Sequence, residues 1–277
     1  MRHDLASGRG FGVITGLTPQ WQVSSRVTAF ATTRLGGVSQ APYDSLNLGL
    51  HVGDELPAVE ENRRRVVESF ALPGEPCWLH QTHSEKVLAI GSEKEPVSTS
   101  APSTEQAFCA DGSWTDQPNV VLAVLTADCL PVVISDAQGS QLAVVHAGWR
   151  GLAAGILENA LARFSPAVEL HAWLGPAIGP DAFEIGEEVR QAFIDRKAAH
   201  GESFLPGRTD PAAASGVRFW ADIYALARTE LQACRSVVVT GGDYCTVSQP
   251  QWFHSHRRDG LRSGRLATMA WMDASRS

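Results

Sequence analysis

Val120-Val121-Leu122-Ala123-Val124-Leu125-Thr126-Ala127-Asp128-Cys129-Leu130-Pro131-Val132 is an apolar run, a cysteine and the start of a second apolar run. The first run, Val120 to Leu125, is rich in β-branched side chains, which fit a pleated, half-buried surface and read as a strand. The chain has to turn before the next run begins, so Cys129 falls just past a strand end, where reactive side chains become accessible. The pattern recurs downstream: the strand Leu142 to Val145 ends in His146-Ala147-Gly148-Trp149-Arg150-Gly151, at a strand-to-helix junction. If the two strands are neighbours in one sheet, Cys129 and His146 meet at one edge.

Outward from this stretch, Val27 to Thr32, Gln141 to His146, Val237 to Thr240 and Arg265 to Met272 also read as strands. Leu56 to Leu72, Leu152 to Phe164, Gly186 to Arg196 and Phe219 to Ala233 carry apolar residues at three- and four-residue spacing and read as amphipathic helices. Interspersed strands and helices imply the α/β class. The 277 residues, 44% of them hydrophobic, suffice for one large core. A single domain over 1–277 is expected, with the first ~15 residues as a flexible extension. Glu95 to Glu105 and Leu205 to Gly216 read as surface loops, being rich in Ser and Pro or in Pro and Gly.

A formal net charge of −7, with no dense basic patch, argues against nucleic acid as a partner. The short run Arg63-Arg64-Arg65 reads as a solvated helix face. Five scattered cysteines do not resemble the stapled framework of a small secreted domain, and they suit a reducing compartment. Met1 to Gly12 lacks a signal-peptide core, and no apolar run is long enough to span a bilayer. A cytoplasmic protein with no membrane association is expected.

Leu79-His80-Gln81-Thr82-His83-Ser84 supplies a third reactive element. In an extended segment the His-x-x-His spacing puts the two rings on opposite faces, so only one of them reaches a common site. Imidazole and thiolate are ligand types that zinc prefers, and three protein ligands leave a fourth position open, as in catalytic zinc sites. Without a Cys-x-x-Cys or a His-Glu-x-x-His, spacing equally allows a buried Cys129 acting as a small hydrophobe beside two hydrogen-bonded histidines.

The sequence resembles the YfiH family, the bacterial laccase-domain or polyphenol oxidase-like proteins, also called purine nucleoside phosphorylase and peptidoglycan editing factor. The resemblance is carried in order along the chain. Its first motifs are Thr33-Arg34-Leu35-Gly36-Gly37-Val38-Ser39, Leu46-Asn47-Leu48-Gly49-Leu50-His51-Val52-Gly53-Asp54 and Gln81-x-His83. Thr126-Ala127-Asp128-Cys129-Leu130-Pro131 and His146-Ala147-Gly148-Trp149-Arg150-Gly151 follow, then Gly175-Pro176-Ala177-Ile178-Gly179-Pro180, Phe183-Glu184-Ile185-Gly186 and Arg257-Arg258-Asp259-Gly260. It implies a layered α/β/β/α domain similar to a bacterial toxin deamidase. It also implies a zinc ion at His83, Cys129 and His146, which become the catalytic centre, with His80 a neighbour rather than a ligand. The activities implied are phosphorolysis of purine nucleosides (adenosine, inosine, guanosine) and methylthioadenosine, adenosine deamination, and editing of cell-wall precursors. Purine nucleosides and phosphate are then the partners, with cell-wall precursor enzymes added on the editing reading. His256 stands where the family often has tyrosine, and Asp181 where some members have cysteine, which bears on substrate preference.

Phosphorolysis needs an anion held at the ribose, so Arg34 beside Gly36-Gly37 and Arg150 at a helix start are the anion-binding candidates. Surface salt bridges are the alternative reading for both. Asn47 and His51, in a Gly-rich turn, are candidates for hydrogen-bonding substrate and for moving a proton, or else serve the turn itself. Asp128 points away from Cys129 on an extended chain and is a candidate for support or structure. Arg257, Arg258 and Asp259 read as a polar turn held by ion pairs, and His3, His171 and His200 as incidental. A second enzyme reading makes Cys129 a nucleophile and His146 its base, in an amide hydrolase. A non-enzymatic regulator of a cell-wall ligase is a third. A true laccase does not fit: nine histidines with a single His-x-His pair, His254 and His256, cannot supply a multicopper cluster.

Overall fold

The computed structural model describes residues 5–7, 13–91, 108–209 and 216–274. The expected loop Glu95 to Glu105 lies outside them, as does much of the expected N-terminal extension. In chain order the strands are β1 (Leu5–Ser7), β2 (Thr15–Leu17), β3 (Val27–Thr32), β4 (Val87–Ala89), β5 (Gly112–Thr115), β6 (Leu122–Thr126) and β7 (Leu130–Asp136). They continue with β8 (Leu142–Ala147), β9 (Leu170–Leu174), β10 (Glu184–Gly186), β11 (Phe204–Thr209), β12 (Val217–Ala221), β13 (Val237–Gly241) and β14 (Leu266–Met272). The helices are α1 (Leu56–Ser69), α2 (Trp149–Ala154), α3 (Ile156–Leu161), α4 (Glu187–Arg196), α5 (Ile223–Cys234) and α6 (His256–Asp259).

Two sheets carry the architecture. One is antiparallel throughout, in the order β1-β2-β3-β14-β6; the other is mixed, β13-β9-β7-β8-β5-β4, with parallel pairs at its two ends. A small antiparallel sheet, β10-β12-β11, stands apart. Side chains alternate between the faces of a strand, and here both faces are buried. On β14, Leu266, Ala270 and Met272 face the second sheet, where they join Val133, Val144 and Trp173. Ala267, Met269 and Trp271 face the other way and pack with Val66 of α1. The outer face of the second sheet, with Val132, Ile134, Ala143 and Val145, is covered by residues of α2 to α5. The result is the layered α/β/β/α arrangement that the resemblance implies. Among the described residues no helix is long and apolar enough to cross a membrane.

The structure departs from the sequence reading in several places. Leu152 to Phe164 is not one helix: Gly155, at φ 101°, ends α2 in the left-handed region and α3 restarts after it. Phe219 to Ala233 likewise divides, because Val217–Ala221 pairs with β10 and β11 and the helix begins only after Asp222. Asp222 caps that helix by accepting from the Tyr224 and Ala225 backbone N–H groups at 2.9 and 3.0 Å. Within the expected loop Leu205 to Gly216, the residues up to Thr209 belong to β11, and 210–215 lie outside the described residues.

The strand before Cys129 is also not a sheet neighbour of β8. β6 belongs to the first sheet, and the chain crosses to the second between Thr126 and Leu130. It is β7, after Cys129, that pairs with β8, with Pro131 opposite His146 and Leu130 opposite Ala147. His146 lies in the same alternating row as Leu142 and Val144, the row facing the gap between the sheets. Cys129 and His146 therefore meet at the rim of that gap.

Candidate metal centre

His83, in the turn before β4, joins Cys129 and His146, and the ligand atoms of the three lie within 4.8 Å of one another. The Cys129 Sγ and His83 Nε2 atoms are 3.8 Å apart. The two imidazoles stand edge to face, with centroids 4.9 Å apart and planes at 75°. Around a tetrahedral zinc, with Zn–S about 2.3 Å and Zn–N about 2.0 Å, sulfur and nitrogen ligand atoms are roughly 3.6 Å apart. The donor set fits such an ion, and the Cys129–His83 separation of 3.8 Å is close to its spacing.

A residue that sequence reasoning missed organises this centre. Asp111, fully buried at the start of β5, accepts from His146 Nδ1 at 2.8 Å, leaving Nε2 of that ring for the site. Its oxygens also accept from the backbone N–H groups of Thr82, His83 and Ser84, at 3.1, 2.9 and 2.7 Å, and from the Ser84 hydroxyl at 2.7 Å. These bonds hold His83 at φ 61°, a left-handed conformation that a non-glycine residue adopts only when its surroundings enforce it. Burial pushes the Asp111 carboxyl up, but hydrogen bonds from His146 and Ser84 outweigh it and hold the group well below the usual carboxylate range.

The electrostatics of the pair beside it run in opposite directions. Burial raises the Cys129 thiol, yet the charge of His146 and hydrogen bonds from both imidazoles bring it below its ordinary value. Burial lowers His146, and the Cys129 thiolate together with Asp111 raises it above its own. The pair therefore favours a thiolate beside an imidazolium; a metal takes the same thiolate but requires the imidazole to give up its proton.

Gly148 is needed for close approach. A Cβ there would meet His83 Cδ2 at 2.8 Å, Cys129 Sγ at 3.2 Å and His146 Cε1 at 3.4 Å. At Gly151 a Cβ would meet the Ser84 carbonyl oxygen at 2.6 Å, so the start of α2 can pack directly on the His83 turn.

The three residues open on a cavity of about 590 Å³. Leu50, Pro76, Trp78, Leu79, Phe108 and Leu125 line its apolar part, and His51, Arg63, Glu75, His80, Gln81, Thr126, His256 and Arg265 its polar part. His80 shares the cavity without joining the cluster. Arg63 departs from the solvated-face reading: its guanidinium lies 4.0 Å over the Trp78 ring, and its Nε donates to the Leu48 carbonyl at 3.0 Å. Arg64 stays exposed and pairs with Glu61 and Glu68.

The other candidates fall around this cavity rather than in it. Arg34 is held by the Asp44 carbonyl at 2.7 Å, the Asp44 carboxylate at 3.3 Å and the Pro250 carbonyl, and does not line the cavity. Arg150 is exposed over Trp149, 4.4 Å from its ring, and does not line it either. Asn47 is fully buried, with its amide donating to Gly49 and Asp54 and accepting from Gly49 and Arg265, so it shapes the turn that presents His51. Asp128, at φ 87°, turns away from the centre and accepts from Thr246 Oγ1 at 2.5 Å and from the Arg257 N–H at 2.6 Å. Arg258 pairs with Asp259 at 2.6 Å and donates to the Phe253 and Thr246 carbonyls, closing the segment that carries His256.

Fold and site together define a layered α/β protein with a candidate three-residue metal centre lining one cavity. The chain belongs to the family described as multi-copper polyphenol oxidoreductase laccase, whose model matches residues 28–273. It is 47% identical over 257 residues to a purine nucleoside phosphorylase of Pseudomonas aeruginosa, covering 92% of this chain and 98% of that one. Purine nucleoside phosphorylase YfiH of Escherichia coli is 43% identical with the same coverage. Among solved structures, Neisseria meningitidis protein NMB0706 superposes with a TM-score of 0.79 at 41% identity, covering 94% of this chain and 99% of that one. YlmD of Geobacillus stearothermophilus superposes with a TM-score of 0.75 at 26% identity, covering 96% and 97%.

Proposed function

We propose that this protein is a zinc-dependent purine nucleoside phosphorylase, acting on adenosine, inosine, guanosine and methylthioadenosine, with adenosine deaminase activity in the same cavity. The observation that carries the reading is the convergence of His83, Cys129 and His146 on a cavity with aromatic and cationic walls, in a chain closely related to proteins named for that reaction. His83 and His146 through Nε2 and Cys129 through Sγ would hold the ion, which supplies Lewis-acid chemistry when bound. Two imidazoles and one thiolate also suit a blue-copper site, but among the described residues no methionine lines the cavity, and the Gln81 amide, the other side chain there that could be an axial ligand, is held by the Leu125 N–H at 2.7 Å and carbonyl at 2.8 Å.

Trp78, one face of which Arg63 covers, and Phe108 line the cavity as aromatic groups against which a purine would pack, among apolar side chains that exclude water. In phosphorolysis a phosphate oxygen forms a bond to the anomeric carbon as the bond from that carbon to the purine nitrogen breaks. The electron pair leaves with the base, which takes up a proton, and His51 on the cavity wall is the group suited to moving it.

The test is metal content and phosphate-dependent release of hypoxanthine or adenine by purified protein, beside variants replacing His83, Cys129 or His146 with alanine. Zinc and activity should vanish together; full activity in zinc-free protein would end the proposal. A second reading, amide hydrolysis with Cys129 as nucleophile, is favoured by the thiolate-promoting surroundings of that residue. Alkylated protein that keeps zinc and turnover would eliminate it.

A further inference from the structure

Arg265 immediately precedes β14, half-buried, and lines the cavity that holds the three candidate ligands. The chain makes room for it: a Cβ on Gly49 would meet Arg265 Cγ at 2.7 Å and Cβ at 3.1 Å. Its backbone is pinned from both sides, its N–H donating to Asn47 Oδ1 at 2.9 Å and its carbonyl accepting from the Leu48 N–H at 3.1 Å. The same turn seats Arg63, whose Nε donates to the Leu48 carbonyl at 3.0 Å. The Gly-rich turn thus holds the Arg63 guanidinium and the backbone and stem of Arg265, and both residues line the cavity.

Neither backbone carbonyl that Arg265 Nη1 touches, Ser263 at 2.8 Å or Gly264 at 3.2 Å, carries a charge. Among the described residues no carboxylate lies within ion-pair distance of this guanidinium. The anions that act on it from further off are Cys129 and Asp128. The oxygens of Asp128 are already taken by Thr246 and Arg257. The thiolate of Cys129 would serve a metal. Burial pushes the Arg265 guanidinium below its ordinary value, with Cys129 and Asp128 pulling the other way. A desolvated cation without a carboxylate partner is costly unless an anion completes it.

We infer that Arg265, with Arg63 beside it, forms a subsite for a tetrahedral oxyanion facing the metal centre, and that inorganic phosphate is its ligand. The choice of phosphate among such anions rests on the phosphorolysis reading. A guanidinium presents paired N–H donors that match phosphate oxygens.

Binding of inorganic phosphate to zinc-loaded protein without nucleoside, followed by calorimetry or phosphorus NMR, tests the subsite directly. It is compared among wild type, Arg265→Met and Arg265→Lys. The phosphate Kd and the phosphate KM should both rise roughly tenfold to a hundredfold in Arg265→Met, the cost of losing hydrogen bonds to a charged group. Arg265→Lys should recover part of the loss, while zinc content and nucleoside KM at saturating phosphate stay at the wild-type level. Should Arg265→Met fail to fold, Gly49→Ala displaces the same side chain and is read the same way. Unchanged phosphate binding in a folded, zinc-loaded variant overturns the subsite, even if nucleoside phosphorolysis is real. Phosphate binding that depends on Arg265 in a protein that cleaves no nucleoside keeps the subsite and removes the phosphorolysis reading.

Discussion

Replacing Asp111 with asparagine keeps the size of the side chain but removes one acceptor from a buried cluster. If the amide nitrogen takes the Oδ2 position, it faces the N–H groups of Thr82 and Ser84 and the Ser84 hydroxyl, all of which need an acceptor. If it takes the Oδ1 position, only the His83 N–H is orphaned, because His146 Nδ1 can change from donor to acceptor. The second orientation is the less costly, at about 1–3 kcal/mol for one unsatisfied buried donor. It also moves the His146 proton to Nε2, the nitrogen facing the site. Zinc affinity should then fall about 10–100-fold, the usual range for loss of a partner to a metal-ligating imidazole. The metal-free variant should melt about 3–10 °C lower, from the stability loss and a chain of this size. Competition with a chelating indicator measures the first quantity and thermal denaturation the second. Wild-type zinc affinity in folded Asp111→Asn protein would refute the claim that Asp111 sets the tautomer of His146.

Gly148→Ala should lose zinc affinity by at least about tenfold while keeping the fold. Its φ of −64° and ψ of 155° suit alanine, whereas its Cβ would crowd all three candidate ligands; an equilibrium zinc titration beside circular dichroism checks both halves. Asp128→Asn should destabilise the protein by about 1–3 kcal/mol in urea unfolding, since an acceptor for Thr246 or for the Arg257 N–H is lost. Glu230→Gln should cost about 3 kcal/mol. Its fully buried carboxylate faces Lys197 Nζ at 2.8 Å, His200 Nε2 at 2.9 Å and Arg196 Nε at 3.3 Å. Zinc binding should not change in that variant, because none of these residues lines the cavity.

Strands whose two faces are both buried were legible because their apolar runs are continuous: Val27 to Thr32 and Arg265 to Met272 correspond to β3 and β14 within a residue. Helical spacing found α1 and α4 but could not see the break at Gly155, which an isolated apolar pattern tolerates. His83, Cys129 and His146 were legible from residue type, from strand-end position and from family resemblance. Asp111 was not: an Asp-Gly pair reads as a turn, and nothing local reveals that its carboxylate reaches back to Thr82, His83 and Ser84 and forward to His146. His200, set aside as incidental, stands against buried Glu230, a contact with no local pattern to betray it.

The cationic wall marks the division most sharply. A guanidinium next to glycines looks like an anion site in sequence, which is why Arg34 and Arg150 stood out. The folded chain ties Arg34 to Asp44 and Pro250, leaves Arg150 over Trp149, and turns Arg63 and Arg265 towards the cavity instead. Residue types, alternation of apolar side chains and the order of motifs determine the α/β class, the strand ends and the chemistry available at each. Which groups face one another depends on long-range closure, as between Asn47 and Arg265, 218 positions apart. Local periodicity carries no record of such contacts. Only the crossing of the chain from one sheet to the other, with both sheets buried on both faces, decides them.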